Sequence, residues 1–149
     1  LAAQFLHQAD MFTLLPKLQM EFNEKEIPFK EVKVINTNRV VVSNSYLKHW
    51  VNSNHTGRSF ETKNKTKFGF FYKAVENLPL STITSGCQYS IQDKPELLTD
   101  IEFSKCGSYP LDYNFLNNTP KYLIVMSVPP IMVAQIATNI FEQWLSEIK

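Results

Sequence analysis

The stretch Lys121–Val128 (KYLIVMSV), closed by Pro129 and Pro130, constrains the fold more than any other part of this sequence. A continuous apolar run of this length is the pattern of a central strand covered on both faces. Proline has no amide donor for a ladder, so the pair ends the strand. Proline also suits the first helical position, and a helix is predicted to begin there. Beyond it Val133, Ile136, Ala137, Ile140, Phe141, Trp144, Leu145 and Ile148 make a broad apolar stripe. Gln135, Asn139, Glu142, Gln143, Ser146 and Glu147 fall on the other side, so the helix is amphipathic and expected to pack on a sheet.

The rest of the chain must supply that sheet. Leu1 to about Asn23 reads as helix, with Leu1, Phe5, Phe12, Leu15 and Phe22 on one face and a kink near Pro16. Pro28 closes the region. Phe29–Val42 alternates like a hairpin turning at Asn36–Asn38, and Ser43–Val51 reads as a short helix capped by Ser43 or Asn44. Ser59–Val75 suggests a second hairpin turning near Asn64. A third places Gln88–Gln92 against Asp100–Ser104 around an Asp93-Lys94-Pro95 turn. Pro110–Asn118 reads as an irregular crossing. The expected fold is therefore α+β: a kinked N-terminal helix, a mostly antiparallel sheet of hairpins, and a long C-terminal helix on the sheet. With 149 residues and no internal repeat or linker, a single domain over 1–149 is expected.

The third hairpin would set Cys87 opposite Cys106, the only cysteines. A bridge between them would close a loop of about 20 residues and contribute roughly 3 kcal/mol. A disulfide favours an oxidising compartment, so an extracytoplasmic location, periplasmic or secreted, is expected. Asn-x-Thr triplets at Asn54, Asn64 and Asn117 are compatible with it. The chain begins at Leu1 rather than Met, as a domain trimmed from a longer protein would. No apolar run reads as long enough to cross a bilayer, because the longest, Tyr122–Ala137, is interrupted by the two prolines. Membrane attachment is expected only through a removed N-terminal anchor.

Net charge is +1, from 15 basic and 14 acidic residues, which lacks the basic footprint of a nucleic-acid binder. The densest basic stretch, Arg58, Lys63, Lys65, Lys67 and Lys73, falls in the second hairpin, where lysines block strand edges. His7, His49 and His55 lack the spacing of a zinc site, and two cysteines cannot fill a four-cysteine one. No nucleophile elbow, P-loop or dinucleotide fingerprint occurs. Glu21, Glu24 and Glu26 read as a solvated face, and Asp93, Glu96 and Asp100 lack calcium-loop spacing. Catalytic residues, metals and cofactors are therefore not expected.

Phe68, Phe70, Phe71 and Tyr72 exceed what one buried face requires. In a strand Phe68, Phe70 and Tyr72 share a face and Phe71 opposes them. One side is core, and the other is either covered by a helix or forms a partner or ligand surface. The leading functional expectation is a non-enzymatic interaction subunit or sensor domain of a cell-envelope or secreted assembly, with another envelope or secreted protein as partner. The alternatives are a small-molecule or lipid-binding domain with an aromatic pocket, and an enzyme with a dispersed site using His49, His55 and nearby acids.

Overall fold

The protein is described from a computed structural model, over residues 18–22, 24–35, 37–52 and 71–146. Most of the expected N-terminal helix and most of the second hairpin, with Phe68, Phe70, His7 and His55, lie outside the described residues; the described part of the former, 18–22, is not helical. The chain divides into two units, Lys25–Pro130 and a second formed by the chain up to Glu24 together with Ile131–Lys149.

At the centre of Lys25–Pro130 two short strands pair in parallel, β1 (Phe71–Ala74) and β2 (Gln88–Ile91), in the register Phe71–Gln88 to Ala74–Ile91. Parallel strands require a crossover rather than a tight turn, and residues 75–87 provide it. The mostly antiparallel sheet of hairpins is therefore corrected to a small α+β fold around a parallel pair.

Among the described residues antiparallel pairing appears only as single bridges beside β2. The chain does turn at Asp93–Pro95, but the returning arm is Glu96–Leu98: Ile91 N–H donates to the Glu96 carbonyl at 2.8 Å, and Leu98 N–H to that of Tyr89 at 2.9 Å. Residues 40–42 add on outside, with Leu97 N–H donating to the Val40 carbonyl and Val42 N–H to that of Pro95, both at 2.8 Å. The expected Phe29–Val42 hairpin is absent. Phe29–Val32 is one helical turn, α1, whose first two amides donate to the Leu78 and Glu76 carbonyls while Phe29 is fully buried.

Both faces of the strand pair are covered. Helix α2 (Asn44–Asn52), close to its expected place, stacks Tyr46 on Phe71 at 5.0 Å between ring centroids. On this face Trp50 Nε1 donates to Ser90 Oγ at 3.1 Å, and the Lys73 ammonium lies 3.9 Å from the Trp50 ring centroid. The opposite face carries Tyr72, Ala74, Tyr89 and Ile91 and meets Phe29, Phe103 and Ile124.

Phe103 belongs to α3 (Asp100–Cys106), where the third hairpin required a strand. The physical reason is a complete capping box. Thr99 Oγ1 accepts from Glu102 N–H, and the Glu102 carboxylate accepts from Thr99 N–H. Two amides otherwise left open are satisfied reciprocally, and this overrides the alternation of DIEFS. Gly107 follows, and a Cβ there would come within 2.7 Å of Ile124 Cγ2. The missing side chain lets α3 approach α4 (Pro120–Val125).

Helix α4 overturns the opening expectation as well. Its residues were the buried central strand, yet they are helical, with Pro120 in the first turn and only Ile124 buried. Helix α5 (Pro130–Ile140) begins where the prolines place it and runs into a wider π-helical turn, Phe141–Leu145. No residue of α5 is buried. In the second unit, Gln143 Nε2 donates to the Gln19 carbonyl at 2.7 Å and its Oε1 accepts from Gln19 N–H at 2.8 Å.

Candidate membrane-contact surface

Pro120–Leu145 is 26 residues long, has a mean hydropathy of 1.7 over its most apolar window, and is only 6% buried there. Between Lys121 and Glu142 it contains 20 residues without an acidic, basic or histidine side chain. A core helix of such composition hides its apolar side chains. Here Met126 is 68% exposed, and Tyr122, Val128, Ile131, Val133 and Phe141 are exposed too. Its 26 residues exceed the about 20 that a helical span of a hydrocarbon layer about 30 Å thick takes.

Two of the polar side chains along it make bonds within the segment, and Gln143 also bonds the Gln19 backbone. Asn139 Nδ2 donates to the Gln135 carbonyl and Gln143 Nε2 to Asn139 Oδ1, both at 2.9 Å. The helical pattern lapses between Met126 and Pro129. There Ser127 Oγ donates to the Ile124 carbonyl at 2.9 Å and Met126 N–H to that of Tyr122 at 3.1 Å. Pro129 and Pro130 have no amide hydrogen and add no open donor. These bonds satisfy part of the backbone at the lapse, as a lipid environment favours. Lys121 at the start donates to the Ser85 and Cys87 carbonyls, fastening the segment to the strand unit. Tyr122 at one end and Trp144 at the other are residue types favoured at membrane interfaces.

The other candidate is a buried ion pair that the sequence reading missed. The Arg39 side chain is 4% exposed and that of Glu102 fully buried. Arg39 donates through Nη1 to Glu102 Oε2 at 2.5 Å and through Nη2 to Oε1 at 2.6 Å, a two-pronged pair. Glu102 also accepts from Val34 N–H and from both donors of Thr99, and Arg39 Nη2 donates to the Val34 carbonyl at 2.8 Å. Burial pushes the Glu102 carboxyl upward, but the Arg39 hydrogen bonds and the Thr99 and Val34 amides outweigh it and leave the group below its ordinary range. The Arg39 guanidinium is raised above its own, chiefly by its hydrogen bond to Glu102. With these donors and acceptors engaged by the fold, the arrangement is a clasp joining the 34–39 segment to α3. The threonine two residues before the Ile101–Glu102 step was the legible half of it; Arg39 had no local signal.

Cys87 is buried and Cys106 half-buried, and both are free thiols. The hairpin that would have brought them together is replaced by α3, which removes the geometric basis of the expected bridge. Burial, and secondarily the Glu102 charge, push the Cys106 thiol up to about 12. Phe71 is fully buried and Tyr72 stacks on Tyr89 at 5.2 Å, so β1 spends its described aromatics on the core. His49 lies on α2. Among the described residues no group of acidic, histidine or cysteine side chains is placed to hold a metal.

The chain matches no protein-family model, no curated protein and no solved structure.

Proposed function

We propose that this chain is a membrane-anchored interaction domain, in which Pro120–Leu145 crosses the bilayer and holds the strand unit at its surface. One observation carries the reading: a 26-residue apolar segment whose most apolar 18-residue stretch is only 6% buried. Exposure of this much uncharged side chain to water is unfavourable by about 25 cal/mol for each Å², and a hydrocarbon layer removes that cost without a second protein. The Arg39–Glu102 clasp and the buried thiols fit a structural domain whose work is to be held in place and recognised. The expected partner, another protein of the same envelope, carries over as part of this proposal. The anchor, however, moves from a removed N-terminal segment to the C-terminal part of the chain itself.

The experiment is alkaline carbonate extraction of membranes from cells expressing the full chain, alongside a Val133→Lys, Ile136→Lys variant. The wild type remains in the pellet. Two lysines near the middle cost about 5–7 kcal/mol on an insertion scale, and the variant moves to the supernatant. Extraction of the wild type under the same conditions overturns the anchor.

A further inference from the structure

Loop Tyr109–Leu116 leads into the segment just described and belongs to the same unit as its first turns. It is held by a three-ring cluster: Tyr109 and Tyr113 rings meet at 5.0 Å, Tyr109 and Phe115 at 5.4 Å, Tyr113 and Phe115 at 4.8 Å. The Tyr109 hydroxyl bonds Ser127 Oγ at 2.5 Å, tying the cluster to the end of α4. From this frame two leucines point outward, Leu111 at 71% exposure and Leu116 at 78%.

Leu116 adds an independent observation. Its φ is +55°, in the left-handed region that side chains other than glycine and asparagine rarely adopt. Asn114 Oδ1 accepts from Leu116 N–H at 2.7 Å and holds it there. Residues held in such conformations cluster at functional sites, and here the conformation coincides with exposure of a large apolar group. Between Cys106 and Pro120 the only charged side chain is Asp112.

We propose that Tyr109–Leu116 is a lipid-contact loop that places Leu111 and Leu116 at the boundary between headgroups and acyl chains. The occupant is the bilayer, because the loop is continuous with the proposed point of entry. Leu116 is four residues before Pro120, a reach of at most about 14 Å, and the interfacial zone is itself about 5–8 Å deep. Tyr113 and Tyr122, half-exposed, have the apolar body and polar tip suited to that zone. The loop would set the depth and tilt of the strand unit against the membrane.

The proposal rests on the reading of Pro120–Leu145 as a membrane span, and its test separates the two. The full chain carrying Leu116→Cys or Val133→Cys is labelled with an environment-sensitive dye and reconstituted in phosphatidylcholine vesicles, with the unsubstituted chain as blank. Iodide quenches from water and a headgroup-level spin-labelled lipid quenches from the interface. The loop proposal expects iodide quenching at residue 116 to fall about three-fold or more below that of the free dye, with strong quenching by the spin-labelled lipid. Shielding at 133 with free-dye quenching at 116 overturns the loop and leaves the span standing. Free-dye quenching at 133 overturns both.

Discussion

Glu102 shows how much one residue can organise. A fully buried carboxylate is costly unless its lone pairs are filled, and here an arginine, two amides and a hydroxyl fill them. Arg39→Met leaves that charge without its counterion, and stability of the full chain falls by about 3–5 kcal/mol in denaturant titration. The pH dependence has a definite sign. The folded Glu102 holds its proton less tightly than the unfolded one, so its contribution is complete above the unfolded value of about 4.3 and is lost as pH falls through the lower folded value. Acid unfolding of the wild type below about pH 4 is expected to be steeper than that of Glu102→Gln. At Cys106, a thiol at about 12 has roughly 10⁻⁴ of its population as thiolate at pH 8, against about a quarter for an ordinary cysteine. Mass spectrometry after native alkylation is therefore expected to find Cys106 unmodified, and after denaturation without reductant to find two alkylated thiols. A pair protected until reduction would restore the disulfide. Only the Thr99–Glu102 spacing was visible at residue level, since Arg39 and Glu102 lie 63 positions apart and Arg39 resembles an ordinary surface charge.

The elements were legible where local chemistry and tertiary demand agree. Asn44–Asn52 and the start of α5 form close to where capping and proline position put them. They were misread where two local patterns compete. DIEFS alternates like a strand, but Thr99 and Glu102 have capping-box spacing and the helix wins. KYLIVMSV looks like a buried strand, yet Pro120 also fits the first turn of a helix, and a continuous apolar run serves either a covered strand or a lipid-facing helix. The parallel pairing of β1 and β2 depends on which segments meet and has no local signature. At this scale Gly107 is the sensitive point. Gly107→Ala puts a methyl group against Ile124 and costs about 1–3 kcal/mol through overpacking of α3 on α4, read as a lower unfolding midpoint. Gly86→Ala, with open space at its Cβ, leaves the midpoint nearly unchanged.

For the molecule as a whole, composition conceals its most consequential feature. A charged fraction of 19% and a net charge of +1 are ordinary for a globular domain, because the charges outside Tyr122–Phe141 offset a stretch with none. Tyr122–Ala137 stood out as the longest apolar region, and Pro129–Pro130 divided it on paper. In a membrane helix such prolines are tolerated when nearby groups satisfy the backbone, as the Ser127 hydroxyl does for Ile124. The measurement that tests the account most directly is the sidedness of this segment. Asn118→Cys and Ser146→Cys, each in the full chain, are exposed to a membrane-impermeant maleimide in sealed vesicles of uniform orientation. The account predicts that one position labels at once and the other only after the vesicles are opened. Labelling of both from the same side would show that Pro120–Leu145 does not cross the bilayer.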